Sequence, residues 1–195
     1  MILSIAYAGV SVCGEMWRVE RAGQLVGEAL LFCYLFALIT GGWLAFHFTP
    51  GAGEVVYDGS YEPLRGVPMS EAYSSTLKIS YDVEGGLLMR ELHHQALFVL
   101  VLGVVIWAVL ARHRYALIAL GLVLLGGVTG YASVDDTLSE FVRGTVWVYV
   151  LHMVVAVGLA VVLVLASRWE AARRPRTLGL VVTAFCAALL MTYLV

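Results

Sequence analysis

The chain predicts an all-α membrane protein, on three observations. First, 61% of its 195 residues are hydrophobic and only 13% are charged, where a soluble domain carries roughly a quarter charged residues. Second, five apolar stretches approach the roughly 20 residues a helix needs to cross a bilayer. Third, the connections between them alternate in charge, basic then acidic. The formal net charge of −2 offers no basic surface for nucleic acid. Cys13, Cys33 and Cys186 are scattered, with no CxxC or CxxCH, which argues against a zinc site, a disulfide framework or a c-type haem motif.

In chain order, residues 1–23 begin MILSIAYAGVSVCGEMW, lack the basic start of a signal peptide and are expected to form an amphipathic interfacial segment. The apolar stretches follow at about 26–48, 87–111, 115–133, 145–167 and 177–195, the last being the shortest candidate. Residues 24–168 are expected to form one transmembrane bundle with an outward loop at 49–85. Residues 169–195 are expected to form a basic cytoplasmic linker and a final transmembrane helix. Arg18 and Arg21 precede the first stretch, Arg112, His113 and Arg114 join the second to the third, and Arg168, Arg173, Arg174 and Arg176 join the fourth to the fifth. The other two connections are acidic on balance, with Glu54, Asp58, Glu62, Glu71, Asp82 and Glu84 in one and Asp135, Asp136 and Glu140 in the other. The positive-inside rule then puts the N-terminus in the cytoplasm and both acidic loops outside. The loop at 49–85 contains Gly51, Gly53, Pro63, Gly66 and Pro68, and a connection of that length is more often functional than idle.

Two histidines fall at matching depth. His93 lies 19 residues before Arg112, about 28 Å along a helix, and His152 lies 16 before Arg168, about 24 Å. The second and fourth stretches run parallel, so both imidazoles arrive near the outer face. Two imidazoles at one depth on two helices meet the requirement for axial ligation of a haem iron. A lone intramembrane histidine more often packs than ligates, but ionisable residues at depth are functional candidates and a matched pair strengthens the case. His94 is turned about 100° from His93, so it is expected to hydrogen-bond or line a pocket. His47 and His113 stand at membrane edges, where a solvated side chain is the simpler expectation.

These residues resemble cytochrome b, the haem subunit of bc-type and b6f-type quinol oxidoreductases, over about residues 24–167. GEALLFCYLFALITGGWLAFHFTP matches the family's first helix at Gly27, Thr40, Gly41 and its AFHFTP end. SEAYSSTLKISYDVEGGLLMRELHHQA resembles the EAFSS…GWLIRxLH run. VTGYASVDD is close to TGYxLPWDQ, and VYVLHMVV is like RFYxLH. The resemblance implies a cytochrome b-like four-helix haem bundle plus a fifth transmembrane helix. It implies His93 and His152 as ligands of one haem b on the outer side, Arg90 beside its propionates, and Gly41 and Gly130 as points of close approach, though plain helix packing explains the glycines equally well.

There are departures from the family. Its second pair of haem ligands lies 14 residues after the first histidine and 14 or 15 after the other, where this chain has Trp107, Ala166 and Ser167. Trp107 is expected to fill the volume an absent macrocycle leaves. There is an additional stretch near residues 51–69, the connection after the third helix is short, Ala132, Ser133 and Val134 replace LPW, and PEWY is absent. Cys33 aligns with the cysteine that anchors an extra haem in b6f-type subunits. A cysteine also stands there in bc-type members without that haem, and a buried free cysteine usually acts as a small hydrophobe, so a covalent haem at Cys33 is the minor alternative.

The resemblance implies an electron-transfer subunit in a cytoplasmic membrane, bacterial or archaeal. It would accept electrons from quinol at the outer face, surrounded by membrane lipid. Its partners would be a subunit IV-like or other membrane subunit and a Rieske-type iron-sulfur protein or cytochrome c, with a homodimer also open. The enzyme would be the whole complex. Two alternatives stand beside it: a haem-free structural subunit, and a single-haem anchor of another respiratory dehydrogenase or reductase.

Overall fold

A computed structural model describes the backbone of residues 2–111, 114–134 and 145–194, and the side chains within 19–110, 115–134 and 146–191. His113 and the acidic residues Asp135, Asp136 and Glu140 lie outside the described residues. Six helices and one hairpin make up the described fold: α1 (Ile2–His47), β1 (Glu54–Val56), β2 (Pro68–Ser70), α2 (Glu71–Tyr81), α3 (Gly86–Ala111), α4 (Arg114–Ala132), α5 (Thr145–Arg173) and α6 (Leu178–Leu194).

α1 joins the expected interfacial segment and the first span in one unbroken helix. No proline interrupts it before Pro50, which disfavours helical geometry in the residue ahead of it. α5 runs past its apolar stretch into the basic linker, and Pro175 falls in the break before α6. α1, α3, α4 and α5 pack as a square in that order, so α3 and α5 stand at opposite corners, while α6 lies against α1 and α3. The core is lined by Leu30, Tyr34, Val104, Trp107, Val123 and Leu163. Outward positions such as Ile39, Phe98, Val109, Leu117 and Val157 are large, apolar and exposed. A bundle with apolar side chains both inside and outside needs an apolar solvent. Four helices are long and apolar enough to cross a bilayer and α6 is a shorter apolar helix, so the chain is an integral membrane protein.

The connection between α1 and α3 is built rather than slack. β1 and β2 pair antiparallel, with Val55 opposite Met69. This hairpin coincides with the additional stretch read from the sequence. Ser70 caps α2, its Oγ accepting from the Tyr73 amide at 3.1 Å, and Glu71 favours the same helix end. Tyr57, Met69 and Leu77 form a small second core under this cap. Lys78 Nζ lies 2.7 Å from Asp58 Oδ1, and Asp82 Oδ1 accepts from the Ser60 amide at 2.9 Å. The hydrogen bond and charge of Lys78 hold the Asp58 carboxyl below its usual range, and the bonds from Ser60 do the same for Asp82. At the corner between α2 and α3, a Cβ on Gly86 would fall 1.8 Å from the Ile79 carbonyl oxygen, so only glycine fits there.

Candidate functional site

His93 on α3 and His152 on α5 face each other across the middle of the square, with ring centres 6.3 Å apart and planes at 75°. The flanking helices hold them in the same way. On α1, the Ala37 carbonyl lies 3.1 Å from His93 Nδ1 and the Thr40 hydroxyl 3.2 Å from it. On α4, the Gly126 carbonyl lies 2.9 Å from His152 Nδ1 and the Thr129 hydroxyl 3.5 Å. A carbonyl only accepts, so each Nδ1 carries the hydrogen and donates it, which leaves each Nε2 with a free lone pair. That is the usual state of a metal-ligating imidazole oriented by its surroundings. Gly41 and Gly130 complete the two cradles. A Cβ on Gly41 would meet His93 Cε1 at 2.7 Å, and one on Gly130 would meet His152 Cε1 at 2.9 Å.

Two cavities lie on either side of this pair. One, of about 220 Å³, points toward the bundle interior between Tyr34, Leu97, Val123 and Leu159. The other, of about 100 Å³, lies toward the loop cap between Arg90, Ser133 and Tyr149. Both reach His93, His152 and Gly130. Arg90 is half-buried and donates from Nη1 to Ser80 Oγ at 3.0 Å, which ties it to α2. His94 is exposed and borders both cavities, as its helical phase predicts. The space is therefore apolar at one end and lined by a guanidinium at the other. A flat apolar group with an anionic edge matches it.

The separation of the rings also matches. A ligating nitrogen sits about 2 Å from its metal and roughly 1.1 Å from its own ring centre, so two axial imidazoles on one metal have centres about 6 Å apart. Among the described residues no cluster of three or more metal-ligating side chains occurs. Two facing imidazoles alone suit a metal that brings its own equatorial ligands. Elsewhere, His47 is exposed, closes α1 and stacks on Trp43 at 4.3 Å. Cys33 is buried and borders a separate groove between α1 and α6, with Phe32 and Phe185, away from the histidines.

No family model matches the chain. Curated relatives do. The chain is 38% identical over 138 residues to the cytochrome bc1 complex cytochrome b subunit of Streptomyces coelicolor, covering 63% of this chain and 25% of that protein. It is 38% identical over 127 residues to the subunit of the same name in Corynebacterium efficiens, covering 59% and 24%. The Mycobacterium tuberculosis subunit gives 38% over 127 residues, covering 59% and 23%. The chain is similar to these cytochrome b subunits over about 60% of its own length. It spans about a quarter of the length of these relatives.

Fourteen residues beyond each histidine, the side chains are packed rather than bordering a cavity. Trp107 is 1% exposed and Ala166 is fully buried. A Cβ on Gly27 would meet Trp107 Nε1 at 3.1 Å and Glu170 Oε2 at 3.2 Å. Beside them Glu28, 4% exposed, accepts through Oε1 from Ser167 Oγ at 2.8 Å and Arg176 Nε at 2.6 Å. Arg176 also donates to Ser167 Oγ. Gln24 donates to the Arg174 carbonyl at 2.9 Å. Sequence reasoning missed this cluster. Its signal was Glu28, an acid set inside an apolar stretch. It also missed Thr129, whose signal was the Thr-Gly pair that occurs both at 40–41 and at 129–130.

Proposed function

We propose that the chain is the haem b-bearing electron-transfer part of a quinol-oxidising membrane complex, with one haem held between His93 and His152 near the outer face. The observation that carries this reading is the facing imidazole pair, each with Nδ1–H donated to a backbone carbonyl. When bound, haem b supplies one-electron chemistry at its iron. His93 and His152 would hold the group through their ring nitrogens, and the chemistry it would supply there is electron transfer. Arg90 would neutralise the anionic edge of the group at the loop-cap end. Gly41 and Gly130 keep both rings free to approach it. The Tyr34 hydroxyl donates to the Ala156 carbonyl and closes the α1–α5 side against water.

The cytoplasmic N-terminus, the outer-face quinol and the partners belong to the same proposal. A subunit IV-like or other membrane subunit would contribute to the quinol site. A Rieske-type protein or a cytochrome c would exchange electrons with the complex. Trp107, Ala166 and Ser167 at the inner positions favour one haem over two. Electrons would then leave sideways, to a partner or a second protomer.

The test is haem per chain in the purified protein, by pyridine haemochrome before and after acid-acetone extraction. One extractable haem is expected. His93→Ala and His152→Ala should each abolish the low-spin spectrum, while His47→Ala should retain it. Two haems per chain, or loss of haem only in His94→Ala, would overturn the assignment.

A further inference from the structure

We infer that Thr40 and Thr129 are positioning residues that set the rotation of the two imidazoles and hold them near perpendicular. Each threonine sits three residues after the carbonyl that accepts from the histidine and one residue before the glycine that clears the ring. Ala37, Thr40 and Gly41 serve His93, and Gly126, Thr129 and Gly130 serve His152. The geometry fixes the direction of each bond. Thr40 Oγ1 lies 3.1 Å from both the Phe36 and Ala37 carbonyls, and Thr129 Oγ1 lies 2.8 Å from that of Leu125 and 3.2 Å from that of Gly126. The single hydroxyl hydrogen is committed to its own helix, as is common for helical threonine. The remaining lone pairs of the hydroxyl are then available to accept from Nδ1–H.

The result is a forked acceptor, carbonyl and hydroxyl together, for one ring hydrogen. A single acceptor would let the ring swing about its Cβ–Cγ bond. Two acceptors on one rigid helix turn, with glycine below, leave one orientation. Because the two forks sit on α1 and α4 at opposite corners of the square, each ring takes its plane from a different helix, and the planes meet at 75°. The carbonyl of each fork also fixes the tautomer in the absence of any bound group.

This inference deepens the haem assignment, and its spectroscopic half rests on it. The variants are Thr40→Val and Thr129→Val, which keep the shape and remove the hydroxyl, with Thr40→Ser and Thr129→Ser as rescues. Near-perpendicular axial imidazoles give low-spin ferric haem its most anisotropic electron paramagnetic resonance signal. Each valine variant is expected to lower the largest g value and the serine variants to restore it. Haem loss in the valine variants with retention in the serine variants supports the same role. An unchanged signal in both valine variants, or haem loss in valine and serine variants alike, would overturn it.

A second readout needs no haem. Nitrogen-15 NMR of histidine-labelled, haem-free protein in detergent should show Nδ1–H and a bare Nε2 for His93 and His152. The Ala37 and Gly126 carbonyls keep this tautomer in the valine variants, where the imidazole signals are expected to broaden as the rings gain freedom to turn. A wild-type protein that never holds haem would sink the functional proposal, and the imidazole line widths would then decide the threonine inference alone. Line widths identical in wild type and valine variants would reject it.

Discussion

The bundle repeats one register at two levels with opposite contents, the histidine level being the outer half and the tryptophan level the inner half in the orientation proposed above. In the outer half Gly41 of α1 faces His93 of α3. Fourteen residues away on each helix, Gly27 faces Trp107 in the same relation. On the other pair of helices, Gly130 faces His152, and the corresponding inner positions are Ala116 and Ala166, both fully buried. The outer half contains two cavities bordered by imidazole and guanidinium. The inner half holds an indole and an ion-paired carboxylate. The imidazole at the Gly41 level leaves room beside it, and the larger indole at the Gly27 level takes that room.

The comparison breaks most sharply at its glycines. Gly41→Ala should displace the His93 ring, since the added Cβ lies 2.7 Å from its Cε1, and haem content should fall several-fold. Gly27→Ala meets the indole at 3.1 Å and should leave haem content near that of wild type. Equal haem content in the two variants, measured per chain by pyridine haemochrome, would mean that the two halves are not functionally distinct.

The next effect is on stability. Trp107→Ala should open a cavity and cost about 3–5 kcal/mol, the usual range for a buried aromatic, without changing the spectrum of the outer site. Thermal unfolding in detergent with absorbance at the haem band would check both halves of that statement. A smaller loss is expected at the polar cluster. Arg176→Ala leaves the buried Glu28 carboxylate with Ser167 but without its cation. Because Arg176 itself is 39% exposed, the cost should be nearer 1–2 kcal/mol than the 3–5 kcal/mol of a fully buried pair. Glu28→Gln should cost less, because the released guanidinium can turn to water. The two melting temperatures would rank them.

The smallest effect concerns the loop cap. Asp58 and Asp82 have lowered folded-state values, so their contribution is complete above the ordinary aspartate value of 3.8 and is lost as the pH falls below it through the folded values. The Asp58–Lys78 pair is exposed, so loosening should be slight and local. Relative to the intrinsic rate at each pH, amide protection in residues 54–81 should fall in acid, while the transmembrane helices stay protected.

Much of the site was legible along the chain because it depends on spacing. Helical rise alone brings His93 and His152 to one depth, and hydropathy alone marks the spans that carry them. The glycines were legible as places of close approach, and the structure makes their partners the imidazole rings themselves. The hairpin and α2 were not separated from the rest of the loop. Their stability comes from Tyr57 meeting Met69 and Leu77, a contact that no local pattern encodes. The cluster of Glu28 with Ser167 and Arg176 joins residues about 140 positions apart, which no window along the chain could span.

The sequence by itself determined that the chain is a helical membrane protein with two histidines at one level, because composition and helical rise act residue by residue. The tertiary structure decided which atoms those histidines present to the gap. That depends on two pairs of groups on neighbouring helices, Ala37 with Thr40 and Gly126 with Thr129, each pair accepting one ring hydrogen and leaving the opposite nitrogen bare. It also decided that the inner level is packed, because whether an indole fills a space or leaves it open depends on the helices that meet around it.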